Sequence, residues 1–240
     1  MQVKNRARRR ARPSLLSRSA RLLVAALAVV LLATVLVVAS LRWFAPPASA
    51  MMVLEPGPLR EIHYRWVGRT RISAAAARAV IAAEDQKFLE HHGFDFASIN
   101  DALEDYRAGN GLRGASTITQ QVAKNLFLWP GRSFVRKGLE AYFTLLLETL
   151  LPKQRILEIY LNVAELGPRV YGVGAAAERL LGTDASQLTP AEAALLAAVL
   201  PNPKRLSVTE PSEYVRARQA EIAAQVRLLE ERGHYHGLDW

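Results

Sequence analysis

Where the sequence reads "AAEDQKFLEHHG" (residues 82–93), an alanine-rich helical pattern carries a carboxylate in the row where an apolar side chain belongs. Ser73 is a helix-capping residue type, and no Gly or Pro interrupts the chain before Gly93, so the spacing predicts a helix over 74–91. Ala77, Ile81, Glu84, Phe88 and His91 step by 4, 3, 4 and 3 residues and share one face of that helix. Glu84 interrupts an inward row, while Asp85, Lys87 and Glu90 turn toward polar faces. Apolar neighbours disfavour the charged form of a carboxylate and raise its pKa. That suits a general base or acid working near neutral pH. The competing reading is a helix-end glutamate that simply reaches water.

A second group lies in "RGASTITQQVAKN" (113–125), after a lead-in made flexible by Gly109, Gly111 and Gly114. Ser116 or Thr117 would cap a new helix, and Thr117 with Gln120 has the spacing of a capping box. Ile118, Val122 and Leu126 form its apolar stripe; Thr117, Gln120, Gln121 and Lys124 collect on another face with Asn125 beside them. Amides suit sugar hydroxyls, and a cation beside a helix N-terminus suits phosphate. An ordinary solvated face is the alternative.

In "SFVRKGLEAYF" (133–143), Arg136 and Lys137 precede Glu140 by four and three residues and can pair with it on the helix surface. Apolar residues follow at once, which sets Glu140 at a buried boundary where two cations could also hold a diphosphate. "KQRILEIYLNVAELG" (153–167) has an apolar face of Ile156, Ile159, Tyr160 and Val163, with Asn162 on the side of Glu158. That pattern reads mainly as packing that supports a site.

The elements that must position these residues are nearly all helical. Periodicity and end signals place helices at 95–108, 117–127, 134–150, 153–165, 171–181, 190–199 and 212–231, with a brief extended segment over Ile62–Val67. Thr189-Pro190-Ala191-Glu192 combines a cap, Pro at the first helical position and Glu three residues after the cap. "LEAYFTLLLETLL" (139–151) is apolar nearly all round, which predicts central burial. The run Leu126, Phe127, Leu128 and Trp129 ends in Pro-Gly; it is either core or a surface with a partner such as lipid.

The net charge of +9 comes from one end of the chain. Residues 1–21 hold eight basic residues and no acid, whereas the rest holds 23 basic and 22 acidic residues, so the body offers no case for nucleic-acid binding. Leu22–Leu41 follows without a charge; twenty residues of helix span about 30 Å, the thickness of a bilayer core. The run exceeds a signal-peptide core of roughly 7–15 residues, although "PPASA" at 46–50 has the small residues of a cleavage site. The positive-inside rule puts residues 1–21 in the cytoplasm and the remainder outside. The organisation is then a basic tail (1–21), a membrane helix (22–41), a linker (42–60) and one domain (61–240). The absence of cysteine excludes disulfides and thiolate metal sites, and five scattered His residues without HExxH spacing argue against a catalytic zinc site.

Taken in order, "EDQKFLEHHG", "GASTITQQVAKN", "RKGLE" and "ILEIYLN" resemble the signature blocks of the peptidoglycan glycosyltransferases, over about Glu61 to Leu229. The chain looks most like the monofunctional biosynthetic transglycosylases, since no Ser-x-x-Lys of a transpeptidase follows. The resemblance implies a mainly α, lysozyme-like fold of two lobes with a membrane-proximal jaw. It implies polymerisation of lipid II, in which the acceptor's GlcNAc 4-hydroxyl attacks the donor's MurNAc with inversion and undecaprenyl diphosphate leaves. Glu84 matches the family's general base, and Glu140 its second essential carboxylate. Ser116, Gln120, Gln121, Lys124 and Asn125 match its substrate-contacting block, with Arg136 and Lys137 near the leaving group. Asp85 and Phe88 match residues that shape the site around Glu84. No cofactor is required, though a divalent cation (Mg or Mn) assists some members. The implied partners are lipid II, the growing lipid-linked glycan, membrane lipid and cell-wall synthesis proteins, at the bacterial inner membrane.

Two other readings compete. A muramidase on a related fold would also want one catalytic Glu, but not the cationic polar face of "GASTITQQVAKN". A membrane-anchored scaffold would tolerate the loss of Glu84.

Overall fold

The computed structural model describes residues 15–108, 116–238 and 240. The glycines at 109, 111 and 114, Arg113 and most of the basic tail lie outside the described residues. In chain order the elements are α1 (Leu15–Ser40), α2 (Ala50–Val53), β1 (His63–Tyr64), α3 (Ala74–Glu84), α4 (Phe96–Arg107), α5 (Ile118–Phe127) and α6 (Phe134–Leu150). They continue with α7 (Lys153–Val163), β2 (Glu165–Gly167), β3 (Val170–Tyr171), α8 (Gly172–Leu181), α9 (Pro190–Val199) and α10 (Glu213–Glu231). The chain is mainly α, and two helical groups dominate: α3 packs on α9 and α10, while α5 packs on α6 and α7.

Local signals set most helix starts. Ser73, Ser133 and Ser212 accept backbone N–H groups at the starts of α3, α6 and α10, and Thr117 and Thr189 complete capping boxes with Gln120 and Glu192. A small sheet of order β1-β3-β2, with β1 parallel and β2 antiparallel to β3, packs on α8 and α9. Strands of two or three residues are too short to show a period, and the pattern absorbed the ends of β2 and β3 into neighbouring helices. Gly172 makes the exit from this sheet possible: its φ is +79°, and an added Cβ would sit 2.3 Å from the Asn162 carbonyl oxygen.

Asn162 and Glu158 explain why α7 carries polar residues among apolar ones. The buried Asn162 amide accepts from Val67 N–H at 2.7 Å and donates to Val67 O at 2.9 Å, while Glu158 accepts from Arg69 N–H at 2.9 Å. They tie the segment after β1 to α7.

Within α1, Ser19–Ser40 is 22 residues long with a mean hydropathy of 3.1, long and apolar enough to cross a membrane. Its C-terminal end is docked on the domain. Thr34 Oγ1 meets Tyr142 Oη at 2.7 Å, Val38 and Leu41 are buried, and Arg155 donates to Leu41 O at 2.7 Å and Phe44 O at 2.8 Å. This corrects the expectation that residues 139–151 lie centrally. Only Glu140, Thr144 and Leu147 of α6 are buried; α5 and α7 cover one side, α1 covers another, and Leu145 remains exposed. Nor is the segment after α1 a bare tether, since α2 packs on α5 and Met52 is buried. Of the run 126–129, Leu126 and Leu128 are buried and Phe127 stacks on Phe143 with ring centroids 4.3 Å apart; Trp129 is exposed.

Candidate active site

The helix expected over 74–91 stops at Glu84. Asp85 ends it with an extended φ of −162° and a long-range bond: its Oδ2 accepts from Ile118 N–H at 2.9 Å. Free N–H groups at a helix N-terminus favour a carboxylate, and here the start of α5 draws Asp85 out of α3. Asp85 is therefore buried instead of turned to solvent. His91 Nδ1 accepts from Gly93 N–H at 3.1 Å, so Nε2 carries the proton facing Asp85 Oδ1 at 2.8 Å. Thr117 Oγ1 donates to Gly93 O at 2.7 Å, a third tie between this turn and α5. Phe88 is fully buried beneath Lys153, whose ammonium lies 4.5 Å from the ring centroid, and supports the turn from below.

This geometry presents Glu84 at the end of α3, half-buried, with Oε2 accepting from Gln121 Nε2 at 2.7 Å. Burial holds the Glu84 carboxyl above the usual range; the Gln121 bond and the charges of Arg218 and Lys124 oppose that, while Asp85 adds to it. Arg218 reaches this end of α3 from α10, where its guanidinium lies 3.4 Å from Ala83 O.

Two cavities flank the Glu84–Gln121 contact. One, of about 500 Å³, is lined by Glu84, Asp85, Ser116 and Thr117 with Lys87 and Asp95. The other, of about 520 Å³, is lined by Gln121, Lys124 and Asn125 with Tyr160, Tyr171 and Lys204. The polar face expected on α5 is thus divided. Gln120 lines neither cavity: it is buried, and its Oε1 accepts from Thr117 N–H at 3.1 Å in the capping box.

Lys124 connects this cleft to α6. Burial pushes its ammonium pKa down, the charges of Glu140 and Glu84 push it up, and Arg136 and Lys137 push it down again. Glu140 is buried between two cations, with Arg136 Nη1 at 2.8 Å and Lys137 Nζ at 2.5 Å. Arg136 Nε is buried without a protein hydrogen-bond partner. Glu140 is thereby committed to Arg136 and Lys137, and among the described residues no group of three or more acidic or His side chains is placed to hold a metal ion.

Sequence reasoning missed Tyr160, whose hydroxyl donates to Gln121 Oε1 at 3.2 Å, and Arg218. Tyr160 sits in an apolar helical row that reads as core, and Arg218 meets α3 across more than a hundred residues. Neither has a local signal.

The Transglycosylase family model matches residues 52–227 of the chain. A biosynthetic peptidoglycan transglycosylase of Shewanella oneidensis is 49% identical over 203 residues, covering 83% of this chain and 87% of that protein. Proteins of the same description from Xanthomonas campestris pv. campestris and Shigella boydii serotype 4 are 50% identical over 219 residues and 57% identical over 191. They cover 88% and 76% of this chain, and 89% and 79% of their own lengths. A family model matched over most of the chain and relatives half identical along most of their length lead to one conclusion: the chain belongs to the transglycosylase family, the peptidoglycan glycosyltransferases.

Proposed function

We propose that this chain polymerises peptidoglycan glycan strands from lipid II, with Glu84 as the general base. The observation that carries the reading is the position of Glu84: half-buried, with its carboxyl held above the usual range by burial, lining one cavity and bonded to Gln121, which lines the other beside Lys124. In the reaction the acceptor's GlcNAc 4-oxygen forms a bond to the anomeric carbon of the donor's MurNAc. Glu84 takes the hydroxyl proton. The bond from that carbon to the diphosphate oxygen breaks, and the electron pair leaves with undecaprenyl diphosphate. One displacement inverts the anomeric centre.

Lys124, Arg136 and Lys137 are assigned to the departing diphosphate, whose charge they offset. Glu140 holds Arg136 and Lys137 at that place. Gln121 and Asn125 are assigned to sugar hydroxyls in the second cavity and Ser116 to the first. Gln120 supports α5 as a cap. Asp85 and Phe88 fix the turn that ends in Glu84.

The docked α1 supports a membrane-held domain, with residues 1–21 in the cytoplasm of a bacterium and the cleft on the outer side of the inner membrane. That is where a lipid-linked donor and the growing chain would reside, and where cell-wall synthesis proteins would be met. Trp129, Phe134 and Val135 form an exposed apolar edge near the start of α6 suited to lipid.

Wild-type protein supplied with labelled lipid II, and separately with finished glycan, tests the assignment. Muramidase-digestible polymer from lipid II and intact finished glycan are expected. Cleavage of finished glycan without polymer would mark a muramidase, and neither activity would mark a scaffold.

A further inference from the structure

The general-base reading leaves open how Glu84 keeps a hydrogen-bond donor, rather than an acceptor, pointed at its carboxylate. Gln121 supplies that donor, but an amide has two ends of nearly equal size. Rotated by half a turn, it would aim Oε1 at the Glu84 anion and repel it. Within α5 Gln121 is only partly buried, so packing alone does not choose the end.

The choice is made from α7. Tyr160 is 1% exposed, and its hydroxyl lies 3.2 Å from Gln121 Oε1. Its ring is held in a helix whose next polar residues, Glu158 and Asn162, are themselves bonded to the segment after β1. With Nε2 facing Glu84, 2.7 Å from Oε2, the hydroxyl donates to Oε1; with the amide reversed it could only accept from Nε2, its own proton would lose that acceptor, and Oε1 would face the Glu84 carboxylate. We infer that Tyr160 is a positioning residue for Glu84: through Gln121 it selects the amide orientation that stabilises the anionic base. The inference rests on Glu84 being the base.

The chemistry of Tyr160 suits the role. Burial, with the charges of Glu84 and Asp85, holds its phenol far above the usual range, so it remains a donor throughout the working pH. The other groups acting on Glu84 are Asp85 beside it, Lys124 on α5 and Arg218 on α10. Lys87, Asp95, Asp101, Asp105, Arg232 and His234 line the same cavity. None of these last contacts Tyr160 in the chain of hydrogen bonds. Removal of the phenol hydroxyl should therefore act on Glu84 by way of Gln121.

The test is the pH dependence of kcat/KM for lipid II polymerisation by the full chain. Wild type, Tyr160→Phe, Gln121→Ala, their double variant and Glu84→Gln are compared. Tyr160→Phe is expected to lose about threefold to tenfold, the range of one neutral hydrogen bond, and to move the acidic limb to higher pH. Gln121→Ala should move it further in the same direction. On the Gln121→Ala background, Tyr160→Phe should add nothing, because its effect has no other route. A second probe, 3-fluorotyrosine at position 160, keeps the ring and strengthens the donor; it should move the limb to lower pH.

An unmoved limb in both Tyr160 variants overturns the inference, as does a double variant in which the two losses multiply. If those results come with an inactive, folded Glu84→Gln, the positioning role fails alone. If Glu84→Gln retains full activity, the base assignment and the inference fall together.

Discussion

Two carboxylates, one at the end of α3 and one inside α6, stand in opposite surroundings. Glu84 is met by a neutral amide, is half-buried, and its carboxyl is held above the usual range. Glu140 is buried and met by Arg136 and Lys137, both within ion-pairing distance. A base must have room for a proton, which Glu84 has; a carboxylate gripped by two cations would have to release them first. The difference separates two tasks between residues of one type, with Glu84 assigned to proton transfer and Glu140 to holding positive charge for the leaving group. Lys124 responds electrostatically to both, which puts the cationic group within influence of the base.

Glu140→Gln would break the comparison hardest on the stability side. It leaves Arg136 buried beside an unpaired Nε and without its carboxylate. The expected cost is about 3 kcal/mol, the low end for a broken buried pair because Lys137 is half-exposed. Denaturant unfolding would read it. A loss below about 1 kcal/mol would place Glu140 among surface-like pairs.

Lys124→Ala sharpens the comparison from the cleft. It should lower kcat on lipid II by roughly tenfold to a hundredfold, as expected for a charge-assisted contact, while the circular dichroism spectrum stays unchanged. Full activity would move the diphosphate away from α5. The smallest effect is expected outside the site. Trp129→Ser with Phe134→Ser should reduce liposome binding of a chain lacking residues 1–44, with turnover on detergent-dispersed substrate changed less than about threefold. Phe127 is unsuited to that experiment because it stacks on Phe143 inside the protein.

Much of the scaffold could be read from residue order. The starts of α5, α6 and α9 follow from Thr117, Ser133 and Thr189, whose side chains satisfy free N–H groups a few residues away. The break in the apolar row at Glu84 was equally visible. Features decided by distant partners were not. Helical periodicity carries the pattern past Glu84 to His91, but the N–H of Ile118 captures Asp85 and ends the helix there. The all-round apolar face of α6 reads as core; it is apolar because α1 packs beside it as well as α5. In each case the local rule was sound and a contact elsewhere in the chain redirected it.

The central claim is that Glu84 takes the proton, and Glu84→Gln tests it most directly. Polymerisation of lipid II and thermal unfolding at pH 7 would be measured on the same preparation. A general base contributes about 10²- to 10⁴-fold, so polymer formation should fall by that factor. A carboxylate whose folded pKa lies above its unfolded value loses stability as pH rises between the two values, and that loss is complete above the folded pKa. The variant should therefore melt no lower than wild type at pH 7, and its advantage should vanish as pH falls below the unfolded value of about 4.5. A folded, inactive Glu84→Gln with an unreduced melting temperature is the predicted result. A folded variant that still makes polymer at the wild-type rate would contradict the account and move the base elsewhere in the cleft.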